Sequence, residues 1–177
     1  FNKIADGKLK RLIVCLPPRH SKSEFASTFF PAWMMGRRGN LKIIQTTHTA
    51  ELAVRFGRKV RNIIDSEDYQ HIFPELQLQA DNKSAGRWTS NQEGEFFAAG
   101  VGGAITGRGA DLLVIDDPHS EQDALSPKSL ESAYEWYTSG PRQRLQPGGI
   151  IVIVMTRWST KDLVGKVLQN FGKKRSY

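Results

Sequence analysis

Four short runs, each apolar on both faces, dominate what this chain can fold into: RLIVCL (11–16), LKIIQTT (41–47), DLLVIDD (111–117) and GIIVIVMT (149–156). They are rich in Val, Ile and Leu, and such runs suit central strands of a sheet covered on both sides. Between the first two lies a helix-like segment from Lys22 to about Met35. After the second, TAELAVRFGRKVRNIID places Leu52, Phe56, Val60 and Ile63 at helical spacing. Strand, helix, strand, helix implies a parallel sheet with right-handed crossovers.

The later elements have their own signals. GRWTS and EFFAAG flank NQEG, the pattern of a hairpin. GVGGAITGRGA is too rich in glycine for a regular element and leads into the third run. SPKSLESAYEWYTSG predicts a helix capped by Ser126, with Pro127 at its first position and Gly140-Pro141 at its end. QPGG (146–149) predicts a turn into the fourth strand. STKDLVGKVLQN opens with a capping-box pattern, Ser159 to Asp162.

With 177 residues, one compact domain is expected. Hydrophobic content of 39% and charged content of 24% fit a globular chain and exclude a disordered one. No apolar run reaches the length of a membrane span. Phe1 is not an initiator methionine, and the chain is read as a piece of a longer one. The lone Cys15 can form no internal disulfide, which suits a reducing interior; it is expected to be a buried strand thiol. Lys plus Arg is 25 and Asp plus Glu is 18, a net charge of +7 that favours polyanionic partners such as nucleic acid. The short basic clusters GRR (36–38) and GKKRSY (172–177) are read as solvated surface.

Chemistry concentrates where the runs end. RLIVCL is followed by PPRHSKSE (17–24), a loop and then a helix start near Lys22. At such a junction unpaired backbone amides and the helix dipole favour an anion. Lys22 supplies a mobile charge for phosphate and Ser23 a hydroxyl for Mg²⁺. The glycines of a P-loop are missing: their places fall on Leu16 and Ser21. Taken alone, the stretch reads equally well as an ordinary strand-to-helix turn. DLLVIDD is a Walker B pattern, with Asp116 placed to hold Mg²⁺ and Asp117 to orient or deprotonate water. The fourth run ends in MTRW, where Thr156 would point a hydroxyl toward the γ-phosphate or the water. Arg157 is either a contact to phosphate, DNA or a neighbouring subunit, or an ion-paired surface arginine. All three ends fall at the carboxyl edge of a parallel sheet, where ligands bind.

PPRHSKSE, GRGADLLVIDDP and IVIVMTRWSTKDLVGK, in this order, resemble the large terminase subunits of tailed bacteriophages, the ATPase motors that pump viral DNA into capsids. The resemblance extends over TTHTAELAVRFGRKVRNII and the hairpin, from Leu12 to Leu168. It implies a RecA-like (ASCE) P-loop NTPase fold: a mainly parallel central sheet flanked by helices, with a short antiparallel hairpin before Walker B. It implies ATP and Mg²⁺ as cofactors. Pro18, Arg19, His20, Ser21, Lys22, Ser23 and Glu24 would form the nucleotide loop. Arg19 would act in cis on the γ-phosphate, Ser23 and Asp116 would hold the metal, and Lys22, Asp117 and the coupling-motif Thr156 would complete the catalytic set. Arg108 and Arg157 fall where DNA or the next subunit is met.

Double-stranded DNA, a portal protein, a small terminase subunit and a homo-oligomeric ring are the implied partners. The implied location is the host cytoplasm at the procapsid portal, and not the mature virion. The family's glutamine motif and nuclease domain lie upstream and downstream of these residues, so this stretch is expected not to cut DNA. Many members have glycine at Ser21, and the sequence leaves open whether this serine takes a glycine-like backbone. The rival readings are a helicase-like or recombinase-like DNA-dependent ATPase and a nucleotide-binding module inactive on its own. Recognisable helicase motifs beyond the two Walker patterns are missing.

The remaining residue types point elsewhere. His20, His48, His71 and His119 do not sit with cysteines at zinc spacing and read as structural or surface groups. Trp33, Trp88, Trp136 and Trp158 read as core or edge residues. GAITGRG is not placed between strand and helix as a Rossmann fingerprint requires.

Overall fold

The computed structural model describes residues 1–105 and 107–171, apart from the side chains of 81–83; Thr106 and the GKKRSY cluster lie outside the described residues. The chain opens with α1 (Asn2–Ala5), β1 (Arg11–Cys15) and α2 (Lys22–Glu24), then a π-helical turn (Phe25–Phe29) and α3 (Phe30–Arg37). Next come β2 (Lys42–Thr47), α4 (Ala50–Ile64), α5 (Glu67–Ile72), β3 (Leu78–Ser84), β4 (Arg87–Ser90) and β5 (Glu95–Gly100). The last part is β6 (Ala110–Asp116), α6 (Glu121–Ala124), α7 (Pro127–Ser139), a 3-10 turn (Pro141–Arg144), β7 (Leu145–Met155) and α8 (Leu163–Phe171).

The strands form one sheet in the order β1-β7-β6-β2-β5-β4-β3. The pairs from β1 to β5 are parallel, and β5-β4 and β4-β3 are antiparallel. Alternate residues serve opposite faces. Leu112, Val114, Val152 and Val154 pack with Met35 of α3 and Val60 and Ile64 of α4. Leu113, Ile115, Ile151 and Ile153 pack with Tyr137 of α7 and Leu163 and Val164 of α8. This two-sided burial is why the runs carry no polar alternation. The hairpin expected at 86–99 is present, and its second strand also extends the parallel sheet by pairing with β2. Gly57 lets α4 lie close to the hairpin: a Cβ there would meet the Ala85 carbonyl oxygen at 2.5 Å.

Four expectations are corrected. β1 is an edge strand rather than a central one, half-buried over Leu12–Val14. Cys15, at its end, is exposed instead of buried, because no strand flanks β1 on its outer side. QPGG is not a turn before the strand but a bulge within β7: Ala110 pairs with Leu145 and Leu112 with Ile150. Gly148, at φ +81°, takes the left-handed backbone that this bulge needs. At α8 the cap is Asp162 rather than Ser159, since Asp162 Oδ1 accepts from the Gly165 amide at 2.8 Å. The Ser126 cap stands as expected, accepting from the Ser129 amide at 3.2 Å. No helix among the described residues is long and apolar enough to cross a membrane.

Candidate active site

β1, β6, β7 and β2 all end on the same edge of the sheet, so the segments after Cys15, Asp116, Met155 and Thr47 meet there. The loop after β1 turns twice through left-handed backbone, at Arg19 (φ +62°) and Ser21 (φ +55°, ψ +15°). Ser21 thus adopts the conformation glycine usually supplies, directly before Lys22 opens α2. Arg19 and His20 are exposed on this loop, and His20 Nδ1 lies 2.9 Å from the Pro18 carbonyl oxygen. Glu24 faces away toward α4, where Lys59 Nζ reaches its carboxylate at 2.7 Å.

Lys22 turns inward and is 8% exposed. Its Nζ lies 2.9 Å from Asp117 Oδ2. Beside it, Asp116 is 1% exposed and accepts from Ser23 Oγ at 3.0 Å and Ser27 Oγ at 2.7 Å. Burial pushes the Asp116 carboxyl up to about 6, against the pull of the two hydroxyls and Lys22. Asp117 Oδ1 accepts from the Thr156 amide at 2.7 Å, and the Thr156 hydroxyl is 3.4 Å from the Leu16 carbonyl oxygen. The Thr156 side chain therefore bridges β7 to the loop, and it is its backbone N–H that meets the carboxylate.

The remaining candidates divide. Arg157 is tied down: Nε donates to both oxygens of Asp162, at 2.9 and 3.1 Å, and a terminal nitrogen donates to the Ser159 carbonyl. Burial alone would raise the Asp162 carboxyl, but bonds from Arg157 and from the Gly165, Ser159 and Trp158 amides together hold it below the ordinary carboxylate range. The ion-paired reading of Arg157 is the one its geometry matches. Arg108 pairs with Glu95 and lies over the Phe97 ring, 4.1 Å from its centre. Glu95 opens β5 opposite Lys42, the first residue of β2, so Arg108 sits at the amino ends of the strands, away from Lys22.

Two groups at the site escaped sequence reasoning. Ser27 is four residues past Ser23, one turn along the helix, and the π-helical turn carries it beneath Asp116. That spacing was a readable signal. His48 follows β2, and its amide and Nδ1 both lie 3.3 Å from the Asp117 carbonyl oxygen. Nothing local marks it. His119 is buried beside them but serves the fold: its Nε2 accepts from the Leu163 amide at 3.0 Å at the start of α8.

Chemically, the site offers a loop with two left-handed residues, a buried ammonium, and a hydroxyl facing a carboxylate. Ser23 and Asp116 fit a hard cation that takes oxygen ligands and draws the rest from phosphate and water. Among the described residues no cluster of three or more His, Cys, Asp or Glu is placed to hold a metal ion.

No protein-family model and no curated protein matches the chain. Among solved structures it is similar to the crystal structure of the HK97 bacteriophage large terminase, with a TM-score of 0.61 and 13% identity. The match covers 97% of this chain and 35% of that one, so the chain spans about a third of the terminase's length. At that identity the likeness is one of fold: over nearly all its length, the chain has the RecA-like α/β architecture found in a phage large terminase.

Proposed function

We propose that the chain is the ATPase motor domain of a phage DNA-packaging terminase. The observation that carries this reading is the convergence of Lys22, Ser23, Asp116 and Asp117 from two distant segments onto one sheet edge, with Lys22 and Asp117 in contact. The fold likeness to a large terminase supports the choice of motor over other P-loop enzymes. ATP would place its phosphates against the amides of residues 19–23. Lys22 would leave Asp117 for the β and γ phosphates, and Arg19 would meet the γ-phosphate from the exposed side of the loop. Ser23 and Asp116 would hold Mg²⁺, which neutralises charge on the phosphate oxygens when bound. Asp117, freed from Lys22 and still held by the Thr156 amide, would accept the proton of the attacking water. Thr156 links that carboxylate to the loop through Leu16, a route by which hydrolysis can be felt along β7. Double-stranded DNA, the portal, a small terminase subunit and further copies in a ring are the partners of this reading, and the host cytoplasm at the procapsid portal is its location. The net charge of +7 agrees with a polyanionic partner.

The test is a titration with Mg²⁺ and a non-hydrolysable ATP analogue, followed by phosphate release with and without double-stranded DNA. Lys22→Ala should abolish binding at millimolar analogue and remove hydrolysis. Binding and turnover unaffected by that substitution would sink the assignment.

A further inference from the structure

We propose that His48 is a positioning residue for Asp117: it clamps the left-handed backbone of that residue and so aims the carboxylate, an inference that rests on the ATPase reading above. Asp117 has φ +39°, a region that side chains other than glycine rarely adopt. Such a residue persists only where its surroundings over-determine it. Its amide donates to the Val154 carbonyl at 2.8 Å, and its carboxylate is held by the Thr156 amide and Lys22. These contacts come from β7 and the loop. The carbonyl oxygen of Asp117 is held from the other side, by His48 at the end of β2.

The geometry makes that last contact decisive. With the amide fixed on Val154, a change of φ at Asp117 swings its carbonyl and its Cβ together about the N–Cα bond. A donor pair fixed on the carbonyl therefore fixes φ, and with it the direction of the carboxylate. His48 supplies such a pair: its backbone N–H and its Nδ1 each lie 3.3 Å from the same oxygen. A carbonyl has no proton to give, so the ring contact requires a proton on Nδ1. Lys22 must depart when phosphate binds, and that removes one of the groups holding Asp117. The His48 clamp does not depend on Lys22, so it keeps the carboxylate aimed in the state that reacts.

The chain's wild type and three variants, His48→Ala, His48→Asn and His48→Gln, test this by phosphate release and by binding of a non-hydrolysable ATP analogue with Mg²⁺. Asparagine puts an amide nitrogen where Nδ1 stands, whereas glutamine carries it one methylene too far. The expected result is a kcat at least about 10-fold lower for alanine and glutamine, with analogue affinity within about threefold of wild type. Asparagine should return kcat to within about threefold of wild type. Alanine at wild-type kcat, or asparagine no better than glutamine, overturns the inference. The asparagine–glutamine pair keeps the comparison readable if alanine does not fold. A long-range ¹H–¹⁵N spectrum of the nucleotide-free wild type at pH 8 gives a readout independent of turnover. A proton on Nδ1 is expected, and a ring protonated at Nε2 alone overturns the clamp. A wild type that shows the Nδ1 proton but neither binds nor hydrolyses ATP counts against the ATPase reading and supports the clamp.

Discussion

Lys22 and Asp117, 95 residues apart in sequence, form an ion pair of 2.9 Å. The ammonium that would serve the phosphate rests on the carboxylate that would serve the water. On the ATPase reading, a phosphate would have to compete with Asp117 for the lysine. The pairing also keeps Lys22, 8% exposed, from being a bare buried charge.

Asp117→Asn should therefore split binding from chemistry. Without the carboxylate, Lys22 is held less firmly, and the analogue of ATP should bind about two- to fivefold more tightly, the scale of one partly exposed pair. Hydrolysis should fall by about 10²-fold or more, because the amide accepts no proton from water. Isothermal titration and phosphate release measure the two effects. An asparagine variant that binds more weakly would mean that the pair does not compete with nucleotide.

Ser21 stands at φ +55°, and its tolerance of side chains should follow from that angle alone. Ser21→Gly should change stability by less than about 1 kcal/mol, since the relief of strain and the extra freedom of unfolded glycine oppose each other. Ser21→Val should destabilise by roughly 1–2 kcal/mol, because a branched side chain is least able to occupy the left-handed region. Urea unfolding of the two variants decides it. Valine as stable as serine would mean that the loop relaxes to another backbone.

How much of this could be read from the sequence depended on whether the determinant is local. The core strands of β2, β6 and β7 were legible because burial on both faces is written into each run. The Ser126 cap and the hairpin were legible for the same reason. That β1 is an edge, and Cys15 exposed, depends on what lies beside the strand, which no run of its own residues encodes. β3 and α5 carry too little periodicity to stand out. The loop and the two aspartates were legible as strand ends. The His48 contact to Asp117 joins residues 69 apart and left no trace in either segment.

Arg157 should prove a structural residue of the β7–α8 turn. Asp162 is fully buried, and Arg157→Ala would leave it with backbone amides alone. The cost should be about 1–3 kcal/mol, below that of a fully buried pair because the guanidinium is partly in water. Affinity for the ATP analogue should change by no more than about twofold. Unfolding curves and nucleotide titration on one preparation test both. A stable variant with lost nucleotide affinity would return Arg157 to the phosphate.

His119 should make stability depend on pH near the start of α8. Burial depresses its basicity below the ordinary value of 6.5, against the pull of Asp162 and Asp123. Its neutral Nε2 accepts from the Leu163 amide, and a protonated ring cannot. Because the folded pKa lies below the unfolded one, the contribution is complete above about pH 6.5 and is lost as pH falls from there through the folded value. Asp116 works the other way: its carboxyl, raised to about 6, makes the fold relatively more stable as pH falls from about 6 towards the ordinary carboxylate range. A single stability curve therefore mixes the two, and the informative quantity is the difference between wild type and His119→Gln. Glutamine offers an oxygen to the Leu163 amide without titrating. Relative to that variant, the wild type should lose stability as pH falls below about 6.5, by about 1.4 kcal/mol for each unit by which burial depresses the pKa. Urea midpoints taken at half-unit steps of pH measure it. Parallel curves for the two proteins would show that His119 titrates alike in the folded and unfolded chain, and that burial does not disfavour its charged form.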